Sequence, residues 1–344
     1  MKREALQEQV GQIRALLDDL IVLEAVYTSR ASVTFRGMPR VPVGDFESTV
    51  RARLEAAGFD GTVEASPELG AGSIRALVTV QLEKQTARFP WVNVLLFAAT
   101  VISTTWLGGA SFAAWFMAIL ICHEFGHFTL ARRRRIDASW PYFIPAPNIL
   151  GTFGAFIQLR SPIRDRTALF DMAIAGPLAG FVVAVTALFV GLAKSTIVAA
   201  GAEGTQIILG DSLLFRGVAA LVLPTMTPDQ DVMLHPIAFA GWAGLLVTMF
   251  NLFPMGQLDG GHIAYAILKR GQRWLALAAI AGLVAISLWW PWWLVWVAIG
   301  LFLRPEHPPT LVDEIAVGRT RRILGAVAFV IFILCFTPVP FRIP

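Results

Sequence analysis

From Trp91 to Cys122 the chain carries no charged side chain, and its next five residues are His-Glu-Phe-Gly-His. A run that long and that apolar is the signature of helices that cross a bilayer. Inside such a layer every backbone polar group must be paired within the protein, which restricts spanning structure to helices or closed barrels. Further runs of the same kind follow, and with 56% hydrophobic and only 15% charged residues the mean hydropathy is +0.64. The chain is therefore expected to be a polytopic α-helical membrane protein. A formal net charge of +4 is too small to suggest nucleic acid as a partner. Cys122 and Cys335 both sit in apolar segments, where cysteine behaves as a small hydrophobe, so no disulfide framework is inferred.

Residues 1–88 read differently, as a small soluble α+β domain of regulatory or recognition type, with the membrane domain over 89–344. "REALQEQVGQIRALLDDLIVLEAV" places Leu6, Val10, Ile13, Leu17 and Leu20 at helical spacing, with charges throughout and none of the apolar core of a cleavable signal peptide. "SVTFRGM" alternates as a strand, "GDFESTVRARLEAAGF" is an amphipathic helix ending at Gly58, and "GTVEAS" and "SIRALVTVQL" are two further strands. The expected order is a helix followed by β-α-β-β.

Spans are expected at 91–108, 112–131, 169–193, 236–254, 274–289, 291–304 and 323–338, about seven in all. The segment Trp274–Leu303 reads as one long helix or as a hairpin broken at Pro291, and charge decides between them. Arg132–Arg135, Arg160, Arg164, Arg166, Lys269, Arg270 and Arg273 fall on one side; Arg304, Arg319, Arg321 and Arg322 join them only if the segment crosses twice. Loop 194–235 carries only Lys194 and Arg216 against Glu203, Asp211, Asp229 and Asp231. Cytoplasmic loops carry an excess of Lys and Arg, which favours the hairpin and a cytoplasmic N-terminal domain in a bacterial-type inner membrane. "WPYFIPAPNILGTFGAFIQLRSP" is apolar but too rich in Pro and Gly for a continuous helix, so a membrane-embedded β-hairpin covered by protein is expected there.

His123 and His127 are four apart on a predicted helix and project from one face, a workable spacing for two ligands of one zinc ion. Glu124 beside them can serve as general base on the attacking water. Ionisable groups at membrane depth are costly and imply function, so a pair of satisfied core histidines is the weaker reading. Zinc catalysis also needs a third protein ligand. His235 and His307 fall in loops away from the pair. Asp259 in "NLFPMGQLDGGH" opens a short helix at the depth of His127: alone it reads equally well as an N-cap, but beside the histidines ligand becomes the better reading. His262, three residues on, could face the site; support of the ligands from behind is the minor reading for it, and a ligand role a weaker one. The "GPLAG" run from Gly176 reads as close helix packing. His127 lies eight residues before Arg135, roughly 12 Å at helical rise, which sets the site near the cytoplasmic face.

"HEFGH" in one span with "NLFPMGQLDGG" after a later one resembles the site-2 protease family of intramembrane zinc metalloproteases. "PYFIP", "GTFGAFIQLRSP", "DMAIAGPLAG" and "HPPT" resemble its branch of plant chloroplast and cyanobacterial members with an added N-terminal domain. The resemblance implies one Zn2+ held by His123, His127 and Asp259, with Glu124 as base and Asn251 as a polar helper near the metal. It also implies that Gly151, Thr152, Phe153, Gly154, Ala155 and Phe156 form a β element whose edge binds an unwound transmembrane substrate. The expected activity is cleavage of membrane-tethered proteins within the bilayer. A membrane metal carrier and a proteolytically inactive scaffold are the competing readings; a carrier needs neither a glutamate base nor a strand-forming segment.

Overall fold

The computed structural model describes the chain except residues 1, 29–31, 67–73, 83–88, 135, 200–207, 226, 228 and 343–344. Arg135, Glu203 and the expected boundary at residue 88 therefore lie outside the described residues.

The N-terminal region builds α1 (Lys2–Leu17), β1 (Ile21–Thr28), β2 (Ser32–Pro39), α2 (Val43–Ala56), β3 (Asp60–Ser66) and β4 (Arg75–Gln81). β1 corrects the expected helix, which stops at Leu17. The β-branched and aromatic residues of Ile21–Thr28 pair instead with β2, where a long-range ladder outweighs the apolar spacing that continues from α1. The antiparallel sheet has the order β1-β2-β4-β3. Alternation along its strands sends Val33, Phe35, Val78 and Val80 to one face, against Ile13 and Leu17 of α1 and Phe46, Val50 and Leu54 of α2. The other face carries Leu77 and Tyr27, which pack on Leu311, Val312 and Ile315 from the far end of the chain.

α3 (Trp91–Arg133) is nominally one helix, but Gly109 leaves the helical region at φ 78, ψ 169. A side chain would resist that conformation, and glycine permits it. The two halves fold back on each other. Asn93 Nδ2 donates to the carbonyl of Trp140 at 2.9 Å, and the Trp140 ring stacks on Phe128. In a straight helix residues 93 and 128 would be roughly 50 Å apart. β5 (Tyr142–Pro145) and β6 (Thr152–Phe156) then form an antiparallel hairpin beside α3, where the Pro- and Gly-rich segment calls for one.

α4 (Arg166–Leu192) starts on the Asp165 side chain, which accepts from the Ala168 amide at 2.8 Å. β7 (Thr196–Ala199), β8 (Ile208–Leu209), an unforeseen α5 (Leu213–Val222) and β9 (Gln230–Met233) occupy the acidic loop. There follow α6 (Pro236–Asn251), α7 (Asp259–Leu268), α8 (Gln272–Ile286), α9 (Trp293–Phe302), α10 (Arg319–Cys335) and β10 (Phe341–Arg342). α8 and α9 form the hairpin that the charge pattern favours. Gly300 lies against Ile280, Arg273 pairs with Glu306 at 3.0 Å, and the break falls at Pro291. Among the described residues two helices are long and apolar enough to cross a membrane, Trp91–Arg133 and Arg166–Leu192. α6, α8, α9 and α10 occupy four of the other expected spans but are shorter than the roughly 20 residues of a bilayer-length helix.

Candidate metal centre

α3, α4, α6 and α7 pack into one core, and the polar groups are set inside it. His123, Glu124 and His127 are all buried on the second half of α3. The Nε2 atoms of the two histidines lie 3.0 Å apart, and Asp259 Oδ2 lies 3.3 Å from each. His127 Nδ1 donates to the carbonyl of Met172 on α4 at 2.9 Å. In a neutral imidazole that leaves Nε2 with a lone pair, directed at the other donors.

Two imidazole lone pairs and a carboxylate converging on one point form the donor set of a cation site. Ligands about 2.0–2.1 Å from a tetrahedral zinc stand roughly 3.3 Å from one another, which matches the spacing found. The set comprises three protein donors, and zinc would be held by His123, His127 and Asp259 with one position left for solvent or substrate.

Asp259 reaches this position because it is not the cap of α7. The residue before the first turn is Leu258, no side chain caps the helix, and the carboxylate turns to the histidines. α7 is held in turn by the buried Arg166, whose guanidinium donates to the carbonyls of Ala266 and Asp313 at 2.9 Å each. Just past the C-terminal end of α3, Asp171 of α4 pairs with Arg134 and with Arg321 of α10, the latter at 2.6 Å. Three helix ends are thus tied beside the Met172 carbonyl that orients His127.

The small residues of α4 have a local purpose. A Cβ at Gly176 would overlap the His127 imidazole, and one at Gly180 would sit 3.1 Å from His123 Cβ. The "GPLAG" run does serve packing, and what packs there is the pair of histidines.

Asn251 closes α6 with Nδ2 3.4 Å from His123 Nε2. The Ile157 amide, just beyond β6, faces the Glu124 carboxyl. Gly151 turns the hairpin with its carbonyl accepting from Ser103 Oγ at 2.6 Å, while Phe153 and Phe156 of β6 are exposed. Among the described residues β6 pairs with β5 alone, Ala155 opposite Phe143. His235 is the N-cap of α6 and takes no part in the centre. His307, expected to be remote, is brought to His262, with Nε2 2.6 Å from His262 Nδ1. Nothing in the local sequence pattern marks Met172, Ile157 or the approach of His307 to His262. The first two act through backbone atoms, which no side-chain pattern marks.

Residues 111–288 match the model of peptidase family M50. The chain is 36% identical over 236 residues to the probable zinc metalloprotease EGY1, chloroplastic, of Arabidopsis thaliana, covering 65% of this chain and 42% of that protein. It is 31% identical over 226 residues to the probable zinc metalloprotease EGY2, chloroplastic, of the same plant, covering 65% and 40%. With EGY3 of Oryza sativa subsp. indica the match extends over 88% of this chain and 59% of the relative, at 26% identity. The chain spans about two fifths of the length of the first two relatives.

Proposed function

We propose, from the premise that the chain belongs to peptidase family M50 on the plant branch of the site-2 proteases, that it is an intramembrane zinc endopeptidase cutting transmembrane segments of membrane-tethered proteins. The observation that carries this reading is the three-donor set of His123, His127 and Asp259, spaced at 3.0–3.3 Å, with Glu124 buried beside it. Zinc, when bound there, would supply Lewis-acid polarisation of the scissile carbonyl and of the attacking water. Glu124 takes the proton from that water and delivers it to the leaving amine. Asn251, at the edge of the centre, offers an amide N–H to the developing oxyanion.

A transmembrane helix hides its peptide bonds in its own hydrogen bonds, so it must unwind before it can be cut. The edge of β6, from Gly151 to Phe156, is the template on which the released N–H and C=O groups pair as an added strand. α3 then makes two spans, α4 a third, and the shorter α6, α8, α9 and α10 the rest of about seven, with β5–β6 embedded among them. Residues 1–88 form a regulatory domain on the arginine-rich side, and substrates and lipid are the partners. A bacterial-type inner membrane draws no support from relatives described as chloroplastic; in either membrane the arginine-rich face and the zinc centre lie on the cytoplasmic or equivalent side.

The test is Glu124→Gln. It should keep zinc and lose cleavage by on the order of 10²–10⁴-fold, because the amide cannot accept a proton. Metal analysis and proteolysis of a transmembrane peptide in detergent measure the two quantities. Wild-type turnover by the variant would remove the base from the mechanism and favour a carrier.

A further inference from the structure

His262 and His307 form a second pair of histidines that the proposed chemistry does not use. His307 is buried, its ring stacks on Tyr265 with centroids 4.5 Å apart, and its Nδ1 lies 2.6 Å from the carbonyl of Pro308. A carbonyl only accepts, so Nδ1 donates and Nε2 of neutral His307 carries the lone pair. His262 Nδ1, 2.6 Å from that Nε2, must therefore donate to it. The relay fixes the tautomer of His262 and leaves its Nε2 as an acceptor, for which the described residues provide no hydrogen-bond partner.

The place where this acceptor sits narrows its use. His262 follows Asp259 by one turn of α7, so both project from the same face. Its ring lines a cavity of about 540 Å³ whose wall includes Ile157, Gln158, Gln257 and Thr310, with Tyr27 of the N-terminal sheet among the lining residues. Ile157 joins this cavity to the zinc centre, since its amide faces Glu124. The wall also continues the line of β6, so a chain laid along that edge runs on into the cavity.

We infer that His262 is a substrate-contacting residue: its Nε2 accepts a hydrogen bond from one backbone N–H of the unwound substrate where the chain leaves β6 and enters the cavity. His307 is the positioning residue that holds it as an acceptor. This rests on the endopeptidase reading, and it supplies that reading with a contact that any sequence can make, because every non-proline residue carries the N–H.

The experiment uses the full zinc-loaded chain in detergent and a transmembrane peptide whose backbone amides near the cleaved bond are replaced one at a time by esters. An ester removes a single N–H and leaves the side chains in place. One position should cost the wild type roughly three- to tenfold in kcat/KM, the loss of one ordinary hydrogen bond. His262→Ala should show that loss already on the all-amide peptide and no further loss with the ester. His262→Gln, which returns an acceptor near the position of Nε2, should recover most of the rate and the ester sensitivity. His307→Phe, which keeps the stacking on Tyr265 but removes the relay, should behave like His262→Ala. Zinc content should be unchanged in all three. An undiminished ester penalty in His262→Ala, or full activity of that variant on the amide peptide, overturns the assignment of His262 alone. Failure of the wild type to cut any transmembrane peptide overturns the endopeptidase reading, and with it the occupant named here.

Discussion

At the scale of single residues, the centre depends as much on what is missing beside the histidines as on the histidines themselves. The Gly176 Cα lies so close to the His127 ring that a methyl group there must displace it. Gly176→Ala is expected to weaken zinc binding by about 10–100-fold, the range for changes that disturb how metal ligands are oriented. Competition for zinc with a chelator measures it. Gly180→Ala, whose added atom would sit 3.1 Å from His123 Cβ, should cost less. Equal zinc affinity in Gly176→Ala and the wild type would mean that α4 does not constrain the ring. The sequence marks Gly176 only as one of several small residues suited to packing. Its particular neighbour is decided by the crossing of α3 and α4.

At the scale of elements, two pieces invite perturbation. β6 has one partner strand among the described residues, and a proline there removes a backbone donor. Across Phe153–Ile157, prolines should abolish cleavage in an alternating pattern, as at Ala155, because successive residues of a strand face opposite edges with their N–H groups. Zinc content should stay constant, and Ile157→Val should be mild. Uniform tolerance would show that the strand does not hold substrate. The second piece is the docking of the N-terminal sheet. Arg36 donates to the Leu311 carbonyl at 2.6 Å and to the Glu314 carboxylate at 2.9 Å. Partial burial works to raise the Glu314 pKa, but the Arg36 guanidinium outweighs it and holds the carboxyl below its ordinary 4.5. A carboxyl depressed in the folded state stabilises the docked form above the ordinary range, and that contribution is lost as pH falls through the lowered pKa. Protection of the Leu311–Glu314 amides from hydrogen exchange should therefore hold from neutrality down to the ordinary 4.5 of a glutamate and be lost as pH falls below it. Glu314→Gln should remove this pH dependence. Unchanged dependence in the variant would assign the transition to another group.

At the scale of the whole molecule, ion pairs gather the charged ends on one side. Arg134, Asp171 and Arg321 tie α3, α4 and α10, Arg273 and Glu306 close the α8–α9 hairpin, and Arg164 reaches Glu64 of the N-terminal sheet. Asp211 and α5 lie at the other ends of α4 and α10, where the His235 amide meets Ser195 and the Gly210 amide meets the Pro340 carbonyl. Cysteines introduced near Arg270 and Arg321 should be shielded from a membrane-impermeant thiol reagent added outside intact cells, and one near Asp211 should react. Reaction near Arg321 but not near Arg270 would break the hairpin topology and the span count together.

Local periodicity carried much of this protein in its sequence alone. Helical spacing puts His123 and His127 on one face, charge-free length marks the apolar helices, and proline with glycine excludes a helix at Trp140–Pro162. These properties depend on neighbours along the chain, so a sequence displays them directly. Tertiary packing decided the rest. Asp259 is equally suited to cap α7 or to face the histidines, and only the approach of α7 to α3 and α4 selects the second. Ile21–Thr28 becomes a strand because β2 is there to pair with it. His262 and His307, 45 residues apart, acquire a shared hydrogen bond only when the segment after α9 returns across α7. In each case the deciding partner is remote in sequence, and the free energy of meeting it appears in no local pattern.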